Sequence, residues 1–252
     1  MPTIGVINQK GGVGKTTTAV NLAAALASHR RILLVDLDPQ ANASSGLGVV
    51  EPERTIYDVL IGRVPARQAV QRVGEGDLHI LPASVDLAGV AVELDATGEN
   101  LQLLSKALLG VRPNFDFIIL DPPPSMGALT LNALGAADHL IVPVQTEYYA
   151  LEGIAGMLET ISRVQGGLNP DLAVLGILLT MFDGRTKLSQ QVEENVRSHL
   201  GEQVFETVIP RSVRLAEAPS YAQSIFEYAG TSAGATAYSE LAQEVLIRVS
   251  EI

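Results

Sequence analysis

Seven short apolar runs alternate with longer mixed segments along the chain. The runs are rich in Val, Ile and Leu and are nearly continuous, which is typical of strands buried on both faces of a parallel sheet. They predict strands at residues 3–8, 31–36, 78–82, 115–121, 139–144, 174–180 and 204–209. The segments between them predict helices at residues 16–27, 101–110, 128–136, 150–166, 189–200 and 233–249.

This alternation of strand and helix predicts an α/β fold with a mostly parallel, twisted sheet, helices on both faces and right-handed crossovers. Residues 48–77 are less regular, carry four arginines, and predict two short helices in a long excursion. No internal repeat or low-complexity linker divides the chain, and 252 residues fit one large domain. We therefore expect residues 1–252 to form a single domain.

The composition limits what such a domain can do. Lys and Arg number 17 and Asp and Glu 28, so the formal charge is −11 and DNA contact would need a local basic patch, or a dimer that gathers such patches. The absence of cysteine excludes disulfides and thiolate metal sites, and it favours the cytoplasm. No signal peptide precedes the first predicted strand, and no apolar run reaches about 18 residues, so we expect no membrane span.

The strongest chemical signal lies between the first predicted strand and the first predicted helix, where residues 9–17 read QKGGVGKTT. Glycines let backbone N–H groups turn inward around phosphate oxygens, and the helix start adds its positive dipole end. Lys15 is placed to reach the β- and γ-phosphates and Thr16 to offer a hydroxyl to Mg²⁺. Gln9 replaces the first glycine of the strict P-loop pattern, so an ordinary Gly-rich turn is the alternative. The strand–loop–helix setting favours phosphate binding.

Two further predicted strands end in acids, in the sequences LLVDLDPQ at residues 33–40 and FIILDPPP at residues 117–124. Ligands of an open parallel sheet lie beyond the carboxyl ends of its strands, so these acids should lie near the phosphate loop. There a carboxylate can hold Mg²⁺ through water or orient an attacking water. We expect Asp36 to accept hydrogen bonds from loop N–H groups, Asp38 to position water, and Asp121 to act near the metal.

Taken together, these motifs resemble those of the ParA/Soj family of deviant Walker A ATPases, over nearly the whole chain. The resemblance rests first on KGGVGKTT at residues 10–17 and DLDPQ at residues 36–40. Further matching segments are DPPPS at residues 121–125, PVQ at 143–145, EYYALEG at 147–153, IPR at 209–211 and EAPS at 217–220. The resemblance implies a P-loop NTPase-like fold, ATP and Mg²⁺ as cofactors, and a role in chromosome or plasmid segregation.

The resemblance also implies roles for individual residues. Lys10 would reach the nucleotide of a partner subunit in an ATP-dependent homodimer, and Asp38 would support hydrolysis. Pro210 and Ser212 would lie against the base. Arg185 and Arg214 would contact non-specific DNA, and a ParB-type protein bound at a centromere-like site would stimulate the ATPase.

The expected site residues follow from the motif and the resemblance together. The expected nucleotide-binding residues are Lys10, Gly11, Gly12, Val13, Gly14, Lys15, Thr16, Thr17, Pro210 and Ser212. The expected catalytic residues are Lys10, Lys15 and Asp38, and the expected metal-binding residues are Thr16, Asp38 and Asp121.

The residues themselves support DNA binding less strongly than the resemblance does. Residues 183–252 hold six Lys and Arg against ten Asp and Glu, so Arg185 and Arg214 could be ordinary solvated or salt-bridged side chains. Phosphate contacts, however, need only a few arginines presented together, and a dimer doubles their number. We expect a cytoplasmic, nucleoid-associated protein that binds DNA without sequence preference, because the chain begins at its first strand without an N-terminal helix-turn-helix extension.

Four other functions are alternatives to DNA segregation for a P-loop ATPase of this kind. A membrane-surface ATPase like MinD needs a basic amphipathic tail, but Arg248 stands there among Glu240, Glu244 and Glu251. An electron-transfer ATPase needs cysteines for its cluster, and the chain has none. An ATP-dependent ligase would need a separate small-molecule constellation, which the sequence does not show. A related ATPase that positions another cargo stays open.

Overall fold

The architecture is a single eight-stranded sheet in a computed structural model that describes residues 1–93 and 100–251. The near-continuous Val, Ile and Leu runs form strands whose residues are almost all buried, as expected for the centre of a sheet covered on both faces. The strands are β1 (Thr3–Val6), β2 (Ile32–Asp36), β3 (Gln71–Arg72), β4 (Leu78–Leu81), β5 (Phe117–Asp121), β6 (His139–Gln145), β7 (Ala173–Phe182) and β8 (Val204–Pro210).

Eleven α-helices are described between and after these strands. Six of them have five to seven residues and form connections: α2 (Asn42–Gly46), α3 (Ile56–Leu60), α4 (Leu87–Glu93), α5 (Leu103–Leu108), α9 (Val213–Glu217) and α10 (Ile225–Ala229). The longer ones are α1 (Lys15–Leu26), α6 (Ala128–Ala136), α7 (Ala150–Gln165), α8 (Lys187–Leu200) and α11 (Ala233–Ser250).

The strand order is β3-β4-β2-β5-β1-β6-β7-β8, and every pairing is parallel except β3 with β4. One apolar core lies between the sheet and α3 to α8, and a second lies between the sheet and α1, α2 and α9 to α11. Because the strands run parallel, their carboxyl ends meet at one edge, where Asp36 of β2 is in register with Asp121 of β5. The predicted fold class is therefore confirmed.

The seven predicted strands are all present, within about three residues of the predicted bounds. The predicted helices are also present, although the one expected at 101–110 is reduced to α5, with a 3-10 turn before it. The excursion at 48–77 contains α3 and a 3-10 turn at Ala66–Gln68, as predicted. It also contains β3, which the sequence did not predict because two polar residues give no apolar pattern.

Four large side chains just after β6 and at the end of β7 lie outside the core. Tyr148 and Tyr149 are 78% and 69% exposed, and their rings contact each other edge to face. Met181 and Phe182, the last two residues of β7, are half-buried. Met181 has a left-handed backbone with φ 52°.

Candidate nucleotide-binding site

The phosphate loop connects β1 to α1 at the edge where the strands end. Gly12 and Gly14 have φ of 75° and 88°, a left-handed backbone that glycine adopts without strain. A Cβ built on Gly11 or Gly12 would meet no atom within 4 Å, so both glycines border open space. Helix α1 begins after Gly14 with no side-chain cap and no acidic residue in its first turn. Its N-terminal amides are thus free to bind an anion.

Lys15 is buried at the base of this loop. Its ammonium group donates to the Lys10 carbonyl at 3.0 Å, which places the charge inside the curve of the loop. Burial lowers the pKa of Lys15, while the charges of Asp121 and Asp38 act to raise it. A buried cation with so few partners is strongly stabilised when a polyphosphate places negative charge beside it.

Asp36 is a structural acid, as the sequence indicated. One of its carboxylate oxygens accepts the Asp38 N–H at 3.1 Å, and the other accepts the Ser44 N–H at 2.9 Å and the Ser44 hydroxyl at 2.7 Å. These bonds fold the segment after β2 back onto the strand end. Burial is the largest influence on its acidity and raises the pKa of Asp36 to about 6, although the Ser44 and Asp38 bonds act in the opposite direction.

The raised pKa of Asp36 predicts a pH-dependent stability. The folded chain holds this proton more tightly than the unfolded chain, whose carboxyl has a pKa near 3.8, so ionisation between the two values destabilises the fold. From about pH 4 to about pH 7, wild type should lose up to about 3 kcal/mol of unfolding free energy that Asp36→Asn does not lose. Urea unfolding without nucleotide measures this, and an identical pH dependence of both proteins would reject the interpretation.

Asp121 differs from Asp36 because its carboxylate accepts no well-formed hydrogen bond from the described residues. Its carboxylate is buried, and neither oxygen has a hydrogen-bond partner of standard geometry among the described residues. Burial, followed by the charge of Asp36, raises its pKa well above the usual value, while the Thr16 hydroxyl and Lys15 partly oppose this rise. A buried carboxylate without a well-formed hydrogen bond is expected where a cation, or water bound to that cation, completes the site.

This donor set fits Mg²⁺ bound together with phosphates. No group of three or more His, Asp or Glu side chains that could hold a metal occurs in the described part of the chain. Mg²⁺ does not need such a cage, since it keeps several waters and takes one or two carboxylates plus phosphate oxygens. Thr16 is half-buried beside Asp121, and the half-buried Asp38 lies close enough for its charge to act on Lys15. The three predicted metal-binding residues therefore lie in or beside the phosphate loop.

Lys10 points away from the loop interior. Its ammonium group forms an ion pair with Glu147 at 2.7 Å, and the two side chains are 55% and 46% exposed. The pair lies beside a cavity of about 510 Å³ between the loop and α7, lined in part by Tyr149, Glu152 and Gly153. Within one copy of the chain, Lys10 and Lys15 thus do not converge on the same point.

A second cavity, of about 200 Å³, lies on the other side of the loop, and both residues predicted to touch the base are in its wall. Pro210 ends β8 and Ser212 lies two residues beyond it, and both line this cavity together with Gly14 and Thr17 of the phosphate loop. Its remaining lining is mostly apolar, which suits the flat face of a nucleobase. The sequence did not indicate its other walls, which include Met181, Leu215, Ala216 and Tyr238.

Arg185 and Arg214 follow the ends of neighbouring strands, at the same edge as the phosphate loop. Phe182 of β7 is in register with Pro210 of β8, and the two arginines lie three and four residues beyond them. Arg185 is 88% exposed and donates to both carboxylate oxygens of Asp183 at 2.8 Å, which holds the pKa of Asp183 at about 2. Arg214 is exposed and has no ion pair among the described residues.

Some residues that shape the site have no recognisable sequence signal. The Asn8 side chain accepts the Lys10 N–H at 2.9 Å and donates to the Pro143 carbonyl at 2.7 Å, which fixes the entry to the loop. The buried Tyr238 hydroxyl lies 3.2 Å from the Thr18 hydroxyl and ties α11 to α1. These contacts join residues more than 130 positions apart, except the one between Asn8 and Lys10, so only the tertiary structure reveals them.

Comparison with known proteins agrees with this geometry. A family described as an AAA domain matches residues 1–174. Chromosome-partitioning ATPase Soj of Thermus thermophilus is 56% identical over 249 residues, which cover 98% of this chain and 96% of that protein. Sporulation initiation inhibitor protein Soj of Bacillus subtilis is 49% identical over 245 residues, covering 96% and 97%.

A solved structure also matches closely. Cobyrinic acid a,c-diamide synthase from Mycobacterium smegmatis, with bound ADP and magnesium, has a TM-score of 0.86 and 39% identity over 99% of this chain and 96% of that one. Its ligands agree with the predicted cofactors ATP and Mg²⁺. The chain has the phosphate loop and the strand-end acids, and it is similar to the Soj proteins over nearly its full length. It therefore belongs to the Soj/ParA family of P-loop ATPases.

Proposed function

We propose that the 252 residues act as one Mg²⁺-dependent ATPase domain that dimerises on binding ATP. The dimer binds DNA without sequence preference and drives chromosome or plasmid segregation with a ParB-type partner. The observation that carries the proposal is the phosphate loop, where the uncapped N-terminus of α1, the buried Lys15 and the buried carboxylate of Asp121 lie at one sheet edge. Full-length similarity to proteins named as chromosome-partitioning ATPases supports the biological role.

In the proposed reaction, different residues of the protein bind ATP, hold Mg²⁺ and orient the attacking water. Amides of residues 11–17 and the Lys15 ammonium group hold the β- and γ-phosphates of ATP in one conformation. Thr16 and Asp121 would hold Mg²⁺, which when bound neutralises charge on the phosphate oxygens. Asp38 orients the attacking water from the loop that follows β2. Phosphoryl transfer to water needs this positioning and charge neutralisation more than a protein nucleophile.

The exposed ion pair of Lys10 supports the dimer part of the proposal. An ion pair between two half-exposed side chains contributes roughly 0–1 kcal/mol, so exchanging Glu147 for a phosphate costs little. A partner subunit's γ-phosphate offers more negative charge than a single carboxylate. The proposed dimer therefore releases Lys10 from Glu147 and places it on the nucleotide of the other subunit.

The DNA face is proposed to combine Arg185 and Arg214 of both subunits. Arg185 shares its charge with Asp183 in the isolated chain, so one copy presents little net positive potential there. Two copies on one side of a dimer would present four guanidinium groups, enough for weak, salt-sensitive contact with phosphates.

Charge reversal tests this face. The double variant Arg185→Glu/Arg214→Glu should weaken DNA binding of the ATP-bound protein at least tenfold and flatten its salt dependence, because phosphate contacts are lost. A fluorescence titration with a short duplex at several salt concentrations measures both quantities. The matched control is Arg30→Glu/Arg67→Glu, which changes the net charge equally at exposed positions elsewhere. An unaltered salt slope in the first variant would count against the proposed face.

The proposed function as a whole is tested by gel filtration with ATP, ADP and no nucleotide, followed by a DNA mobility shift with each sample. The dimer in gel filtration and the DNA mobility shift should both appear with ATP, and neither should appear with ADP or without nucleotide. A monomer with ATP, or a DNA shift that is equal in all three samples, would contradict the proposal.

A membrane-surface function is not favoured by the way the C-terminal helix is held. The Arg248 guanidinium donates to the Leu175 carbonyl at 2.9 Å, the Val204 carbonyl at 2.8 Å and Glu244 at 2.9 Å. Helix α11 is thereby packed on β7 and β8 with its apolar side covered. Among the described helices, none has the length and apolarity needed to cross a bilayer. Sedimentation with anionic liposomes would separate the two functions.

A ligase function is the alternative raised by the synthase relative. A carboxylic acid substrate placed beside the nucleotide in the 510 Å³ cavity would meet Glu147 and Glu152, which repel it. ATP turnover that rises with DNA and a ParB-type protein, and not with a small carboxylic acid, would support partitioning. A related ATPase that positions another cargo would have the same nucleotide site, so imaging the tagged chain against the nucleoid distinguishes it.

A further inference from the structure

Thr180, near the carboxyl end of β7, supports the phosphate loop from behind. Its side chain is 2% exposed, and its hydroxyl donates to the Val13 carbonyl at 2.8 Å. This bond fixes the orientation of the Val13 carbonyl, and with it the orientation of the peptide groups on either side. A buried carbonyl that lost this partner would be left unsatisfied, so the bond restrains the loop strongly.

The same strand end is bonded to Thr146, the residue after β6, and through Thr146 to α8. The Thr146 N–H donates to the Thr180 carbonyl at 3.2 Å, and the Thr146 hydroxyl lies 3.5 Å from the Met181 carbonyl. The Thr146 hydroxyl also donates to the Ser189 hydroxyl at 3.3 Å. Thr146 and Ser189 are both buried, so water does not replace these bonds. Met181, which lines the 200 Å³ cavity, has a strained left-handed backbone.

Ser189 leads to the segment that carries Arg185. The Ser189 N–H donates to the Thr186 hydroxyl, which caps α8 and itself donates to the Asp183 carbonyl at 3.0 Å. Asp183 in turn accepts the Arg185 N–H and its guanidinium group. A continuous set of hydrogen bonds and chain neighbours therefore runs from the Val13 carbonyl to Arg185.

We propose that Thr180 is a positioning residue of the phosphate loop, and that Thr146 and Ser189 transmit a change in that loop to residues 183–187. Nucleotide phosphates that pull on the amides around Val13 alter the Thr180 bond. Met181 lies between Thr180 and the segment that carries Arg185, and its left-handed backbone, with φ 52°, makes this point sensitive to a shift of the Thr180 bond. The inference rests on the proposed function only in that the loop binds nucleotide, and it does not depend on DNA binding.

Hydrogen–deuterium exchange of residues 183–190, with and without saturating Mg·ADP, tests the inference. In wild type, nucleotide should change the exchange rate of these amides by about tenfold, the effect of one hydrogen bond gained or lost. Ser189→Ala leaves every phosphate-loop contact intact, so it should bind Mg·ADP with wild-type affinity and lose the exchange response. Thr180→Val should lose the response and also bind Mg·ADP about tenfold more weakly, while Thr180→Ser, which keeps the hydroxyl, should restore both.

The matched control is Thr207→Val, which removes a buried strand hydroxyl facing Glu244 on the far side of β8. In this control, Mg·ADP should change the exchange rate of residues 183–190 as it does in wild type. A wild-type response in Ser189→Ala, or no response in wild type that binds Mg·ADP by calorimetry, would overturn the inference and leave the proposed function standing. Failure of wild type to bind Mg·ADP at all would instead reject the proposed function.

Discussion

Replacing Lys15 with alanine should lower the affinity for Mg·ATP by roughly 100-fold or more, the largest effect expected of any single substitution. The Lys15 ammonium group is the one cation held inside the curve of the phosphate loop among the described residues, and charge-assisted bonds to phosphate contribute about 1.5–3 kcal/mol each. Asp121 and Asp38 would also face the triphosphate without the cation that now lies near them. Calorimetric titration with a slowly hydrolysed ATP analogue measures the loss.

The matched control for Lys15→Ala is Lys106→Ala, which removes an exposed lysine on α5, far along the chain from the loop. The control should bind nucleotide as wild type does. Wild-type affinity in Lys15→Ala, with the variant shown to be folded by its thermal unfolding transition, would mean that the loop is not the phosphate site.

Replacing Asp38 with alanine should reduce ATP turnover by roughly 100-fold or more while leaving nucleotide binding within a few-fold of wild type. A side chain that positions and activates the attacking water typically contributes this much to a rate. Asp38 is half-buried after β2, and among the described residues its carboxylate accepts a hydrogen bond only from the Gln40 N–H, at 2.9 Å, so its other oxygen stays available to water. Phosphate release under single-turnover conditions separates this step from product release.

Asp171→Ala serves as the control, because Asp171 is an exposed acid at the opposite end of β7. It should turn over ATP at the wild-type rate. If Asp38→Ala hydrolysed ATP as fast as the control, the catalytic role of Asp38 would be rejected. If instead it failed to bind ATP, its role would be structural, like that of Asp36.

The sheet could be predicted from the sequence because its strands are buried on both faces. Runs such as residues 32–36 and 117–121 are apolar without interruption up to a final acid, a pattern that few other structures allow. The five-residue helices α2, α9 and α10 were not predicted, because fewer than two turns give little helical periodicity, and the equally short α3 was expected only as part of the irregular excursion at 48–77. Their conformation is fixed by what they pack against.

The same distinction applies to the site. Parallel strands end at one edge, so the sequence was sufficient to bring Asp36, Asp121 and the phosphate loop together. It was not sufficient for the ion pair of Lys10 with Glu147 or the bond from Thr180 to Val13, which span 137 and 167 positions. Such partners depend on strand order, with β1 beside β6 and β6 beside β7, and no local pattern encodes that order.

The most direct test of the account is a crystal structure of the wild-type protein with Mg²⁺ and a non-hydrolysable ATP analogue. The account predicts the triphosphate against the amides of residues 11–17, the Lys15 ammonium group on its β- and γ-phosphates, and Mg²⁺ on the side of Thr16 and Asp121. A structure in which the analogue binds elsewhere, while the loop keeps the Lys15 to Lys10 bond and encloses no phosphate, would contradict it.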